Sequence, residues 1–168
     1  LYLTGYEDFP LEEIKNFRQL GAKTAGHPEN FLSDAIETTT GPLGQGLANS
    51  VGFAMAEEIQ RANFGKSIVD HYTYVFAGDG CLMEGISQEA ITLAGRQKLS
   101  KLIVFWDNNN ITIDGKVELS DNTNQVERFR SSGWHVLEID GHNPVEINEA
   151  IIEAKKNSKP TMIACETH

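Results

Sequence analysis

The chain has 168 residues, 40% of them hydrophobic, and 24 acidic against 14 basic side chains give it a net charge of −10. That is enough apolar material for one core, so a single domain over 1–168 is expected. The acidic balance and the lack of a basic stripe argue against a nucleic-acid partner. No apolar run approaches the roughly 20 residues needed to cross a bilayer, which argues against a membrane partner. Two cysteines, Cys81 and Cys165, suit neither a disulfide framework nor a CxxC site and read as reduced thiols of a cytoplasmic protein.

In chain order, Pro10 precedes Leu11, Ile14, Phe17 and Leu20 at helical spacing, and Gly21 reads as the closing cap. Residues 21–40 read as a long polar loop. Gly41-Pro42-Leu43-Gly44-Gln45-Gly46 then opens a helix to about Arg61, whose small residues suit close packing. A strand is expected at Tyr72–Ala77, a helix near Glu84–Lys98 and a strand at Leu102–Asp107. Ile111-Thr112-Ile113 forms a short segment, followed by a helix near Gln125–Ser131 and a strand at His135–Ile139. A helix at Val145–Asn157 and a strand at Thr161–Ala164 complete the series. This alternation implies an α/β fold: a mostly parallel sheet with helices on both faces. The opening, Leu1-Tyr2-Leu3-Thr4-Gly5, reads like mid-domain sequence, so a fragment of a longer protein is expected.

Gly78-Asp79-Gly80 follows the first strand, and Asn109 follows the second about thirty residues later. One βαβ unit has that length, so both residues return to the same sheet edge, where open α/β sheets bind ligands. Glycines would admit a diphosphate that a carboxylate would repel. A hard cation between them resolves the conflict, held by Asp79, the Asn109 amide oxygen and the Ile111 carbonyl. The plainer alternative is a tight turn at Gly78–Gly80 and a capping Asn109. No GxGxxG follows a strand and no GxxxxGK[ST] is present, which weakens nicotinamide and P-loop nucleotide readings.

GDG answered by an asparagine pair resembles the thiamine-diphosphate fingerprint. The strings Thr38-Thr39-Thr40-Gly41-Pro42-Leu43-Gly44-Gln45-Gly46, Gly26-His27-Pro28-Glu29 and Gly78–Ser87 narrow this. Together they resemble the transketolase family, in part of its N-terminal diphosphate-binding domain, from Leu3 onward. The resemblance implies thiamine diphosphate and Mg²⁺ (or Ca²⁺) as cofactors, with Asp79, Asn109 and Ile111 on the metal. It implies Gly80 at the diphosphate and Gly41, Pro42 and Leu43 around the cofactor's aminopyrimidine, with Ile113 against its thiazolium. His27 would reach the donor sugar, and Glu84 and Glu89 would lie at a dimer contact and link two active sites. Sugar phosphates would be the substrates, in the pentose phosphate pathway, and a homodimer would form the active site at its interface. The pyrimidine-binding and C-terminal domains are absent, as are the activating glutamate and further histidines, so this stretch alone is expected to be inactive. Another thiamine-diphosphate enzyme (deoxyxylulose-phosphate synthase or an E1 component) and a non-catalytic cofactor-binding subunit are the alternatives. Asn108, where many relatives carry Asp, leaves Asn109 intact.

Overall fold

In the computed structural model, which describes residues 1–167, six helices and six strands follow in order. They are α1 (Leu11–Lys15), α2 (Gln45–Phe64), β1 (Thr73–Gly78), α3 (Asp79–Met83), α4 (Gly85–Gln97) and β2 (Leu102–Asn108). After these come β3 (Ile111–Thr112), β4 (Gly115–Lys116), α5 (Gln125–Ser131), β5 (His135–Asp140), α6 (Pro144–Ala154) and β6 (Thr161–Glu166). Strands β1, β2, β6 and β5 form one sheet in that spatial order, all neighbours parallel; β3 and β4 make a small antiparallel hairpin.

The central strand β2 is apolar on both sides because both its faces are covered. Along β2, Leu102, Val104 and Trp106 turn to one face, where they join Leu47 and Val51 of α2, Ile91 and Ala94 of α4 and Phe129 of α5. Ile103 and Phe105 turn to the other, against Ala150 and Ala154 of α6. Each fully buried aliphatic or aromatic side chain contributes about 1.5–3 kcal/mol to folding. Phe129 meets Trp134 edge-on at 4.9 Å, and the Trp134 indole N–H donates to the Ile91 carbonyl at 2.8 Å. Coverage of the α6 face stops short of β1: Tyr74 and Phe76 stay exposed there, Phe76 stacked on Phe105.

Two expected elements are corrected. The first helix stops at Lys15, not near Leu20. Arg18 adopts a left-handed φ of 62° and its N–H bonds the Thr24 carbonyl, while Thr24 in turn bonds the Glu13 carbonyl, so the chain folds back instead of winding on. The helix expected near Glu84–Lys98 is two helices, because Glu84 is extended between α3 and α4. Gly80 consequently sits in the first turn of α3, not in an open loop. His135, at the start of the expected strand, is half-buried between Thr161 at 3.3 Å and Glu153 at 3.2 Å.

Candidate functional site

The register of β1 with β2 aligns Gly78 with Asp107, so the two chain segments leave the sheet side by side at its C-terminal edge. Asp79 opens α3 there, and Asn109 follows the last residue of β2. Between them lies a cleft of about 600 Å³, lined by Asp79, Trp106, Asn109, Ile111, Lys116 and Asp121 among others. The three residues expected to hold a cation are thus brought together.

Asp79 is only 7% exposed. Its Oδ1 accepts the Trp106 indole N–H at 3.1 Å, while Oδ2 is buried with no hydrogen-bond partner. Burial is the largest influence on this carboxyl and raises its pKa above the ordinary value. The Trp106 N–H and the Asn110 backbone oppose the rise, and the Asp107 and Asp121 charges add to it. An orphaned carboxylate oxygen costs about 1–3 kcal/mol or more, so natural structures rarely keep one without a use. A cation at Oδ2 would remove that cost.

On the other side of the cleft, Asn109 donates from Nδ2 to Asp107 at 3.1 Å and its Oδ1 accepts the Ile111 N–H at 3.1 Å. Asp107 also accepts from the Thr167 hydroxyl. These contacts fix which end of the Asn109 amide is the oxygen. Asp121, on the rim, takes the Thr123 N–H and hydroxyl and the Gln125 amide, and the Thr123 hydroxyl leads in holding its carboxyl below the usual range. Lys116 is the one cationic side chain among the described lining residues. Direct protein cations are therefore sparse, and a divalent ion suits the acidic donor set better than a bare phosphate does.

Among the remaining expected residues, His27 meets Gly41 and Leu43 meets Gly80, next to Asp79. Gly41 has φ 130°, and a Cβ there would lie 2.3 Å from the His27 ring, so only glycine lets these two segments touch. A Cβ on Gly80 would meet the Leu43 side chain at 3.1 Å, which places the 41–43 loop over the start of α3. His27, Pro42, Leu43 and Ile113 are exposed and do not line the cleft itself. Glu84 and Glu89 are also exposed, at the start of α4 and within it. Trp106, Asp107 and Asp121 are the site residues that motif reading missed. The first signal available for Trp106 was an N–H donor at the end of a strand beside an acid-bearing turn.

Residues 1–168 match the family described as "Transketolase, thiamine diphosphate binding domain". The chain belongs to the transketolase family. It is 59% identical over 167 residues to a transketolase of Rhodobacter capsulatus, covering 99% of this chain and 25% of the relative. With transketolase 2 of Escherichia coli it is 56% identical over 172 residues, covering 99% and 26%. The crystal structure of Campylobacter jejuni transketolase superposes with a TM-score of 0.94 at 49% identity, over 99% of this chain and 26% of that one. A transketolase of Pichia stipitis, solved in complex with sedoheptulose-7-phosphate, gives 0.93 at 49% identity over 98% and 25%. The chain thus spans about a quarter of the length of these transketolase relatives. No helix among the described residues is long and apolar enough to cross a membrane.

Proposed function

We propose that this chain is the diphosphate- and metal-anchoring part of a transketolase that transfers a two-carbon ketol unit from a ketose phosphate to an aldose phosphate. The observation that carries this reading is the buried, unpartnered Asp79 Oδ2 facing a cleft shared with Asn109 and Ile111. Asp79, the Asn109 amide oxygen and the Ile111 carbonyl would hold Mg²⁺ or Ca²⁺, and the ion would neutralise the diphosphate beside Gly80. When bound, thiamine diphosphate supplies the electron sink that the two-carbon transfer needs. Gly41, Pro42 and Leu43 would border its aminopyrimidine and Ile113 its thiazolium. His27, held against Gly41, would contact the donor sugar. The exposure of Glu84 and Glu89 suits a role at the contact between two copies of the protein.

Residues 1–168 would form one domain, with the pyrimidine-binding and C-terminal domains supplied by the rest of the polypeptide. On this reading the protein works in the cytoplasm as a homodimer, in the pentose phosphate pathway, and the isolated stretch is inactive. The sedoheptulose-7-phosphate bound to the Pichia stipitis relative supports a sugar phosphate as substrate.

The test is sedoheptulose-7-phosphate formation by the full-length protein supplied with thiamine diphosphate and Mg²⁺. Asp79→Ala is expected to lose cofactor retention and about 100-fold or more in activity, since loss of an outer-shell partner alone costs roughly 10–100-fold. Unchanged activity and retention in that variant would reject the metal-site assignment.

A further inference from the structure

We infer that Trp106 is a positioning residue that holds Asp79 ready to bind a cation through one oxygen and thereby favours Mg²⁺ over Ca²⁺. The inference rests on the metal-site reading above and adds a selectivity device to it. Trp106 belongs to the same β2 face as Leu102 and Val104, and its ring is 7% exposed in the core. Its position is therefore fixed by packing against the sheet and α2, not by the cleft. From that fixed ring the indole N–H reaches Asp79 Oδ1 at 3.1 Å. An indole has one donor and no acceptor, so it selects one carboxylate oxygen and leaves the other free. The free atom is Oδ2, buried and without a partner.

The division of labour between the two oxygens has a chemical consequence. Ca²⁺ takes 6–8 oxygens at flexible geometry and accepts carboxylates in either one- or two-oxygen fashion. Mg²⁺ demands near-octahedral coordination and suits a carboxylate that offers one oxygen. With Oδ1 committed to the indole, Asp79 offers the second kind. The Asn110 backbone also acts on this carboxylate, more weakly than Trp106 does, from the short link between β2 and β3, whereas Trp106 is held within a strand. Partners that orient a ligating carboxylate in this way typically account for 10–100-fold in metal affinity.

The experiment uses the full-length protein with position 106 replaced by benzothienylalanine, which keeps the fused-ring shape and lacks the N–H. Trp106→Phe serves as a second variant, and thermal melts of the metal-free proteins show that both remain folded. MgCl₂ and CaCl₂ are titrated calorimetrically in the presence of saturating thiamine diphosphate. The expected result is a 10–100-fold loss of Mg²⁺ affinity with a loss for Ca²⁺ smaller by about tenfold, since the released Oδ1 becomes available to the larger ion. Unchanged Mg²⁺ affinity, or equal losses for both ions, would overturn the proposal and leave Trp106 a packing residue. Asp79→Ala separates the two levels: it should lose affinity for both ions. If it binds both like the parent protein, the metal site itself is misassigned and the Trp106 role falls with it.

Discussion

A carboxylate with one oxygen satisfied and one stranded, as in Asp79, is an uncomfortable group, and its discomfort is measurable without any substrate. Burial makes the folded Asp79 hold its proton more tightly than the unfolded chain does. By linkage, the metal-free protein loses stability as pH rises through that raised pKa, and the loss vanishes below the ordinary Asp range. Asp79→Asn keeps the acceptor for Trp106 and removes the charge. In chelator-treated full-length protein it should raise stability at pH 7 by roughly 0.5–2 kcal/mol, the usual size of a single stabilising substitution. The gap should narrow as pH falls, and added Mg²⁺ should raise the melting temperature of the parent protein but not of the variant. Melts across pH with and without Mg²⁺ check both statements. That Asp79, Asn109 and Ile111 would meet at one cleft was legible in the sequence, because one βαβ spacing returns both loops to the same sheet edge. Trp106 was hidden inside an apolar run. Whether an indole N–H at a strand end is used depends on what the neighbouring strand's loop presents, and only the paired register shows that.

The helices divide into those whose boundaries local chemistry decides and those decided by contact. Helix α5 falls where it was expected, Gln125–Ser131, because Asn124 caps it by accepting the Glu127 N–H at 3.0 Å. Helix α6 starts on a cap of the same kind, Asn143, followed by Pro144. The break at Glu84 was harder to read in this way: Gly85 follows it, but a single glycine costs a helix only about 1 kcal/mol and need not end it. There Ser87 donates to the Cys81 carbonyl at 2.6 Å and Gln88 donates to the Leu82 carbonyl, and side chains finish α3 where its own ladder stops. Contact also governs α4 at Gly95, where a Cβ would lie 1.8 Å from the Ser132 carbonyl oxygen. Gly95→Ala must push α4 off the turn after α5, at a cost of about 1–3 kcal/mol or more. The shift should also weaken the Trp134–Ile91 hydrogen bond, so a lowered urea midpoint with altered near-ultraviolet circular dichroism is the expected outcome. A midpoint equal to that of the parent protein would show that the two backbones can part freely.

At the scale of the whole molecule, the sheet has two ends with opposite economies. At its N-terminal edge, Lys101 just before β2 bonds Glu57 of α2 at 2.7 Å and also Asp70, while Arg61 lies 3.3 Å from Glu57. Glu57 is 1% exposed, so its charge depends on these partners. Removing one partner of a buried pair costs about 3–5 kcal/mol. Lys101→Met should fall at the low end, roughly 3 kcal/mol, because Arg61 remains. The double variant Glu57→Gln with Lys101→Met should recover part of the loss. Denaturant unfolding reads both, and Mg²⁺ affinity at the far edge should stay unchanged.

The strand order carries a consequence for how the molecule comes into being. Strand β6, last of the sheet strands in sequence, is laid between β2 and β5. Until it leaves the ribosome, β5 has no sheet neighbour and β2 is held on one side alone, with Phe105 and Ile103 lacking half their surroundings. Synthesis runs at about 5–20 residues per second, so the nascent chain waits several seconds with its apolar seam open. The cleft between Asp79 and Asn109 rests on the β1–β2 pair, which needs no help from β6, so the ligand edge of the sheet can take shape while the apolar seam beside it is still open.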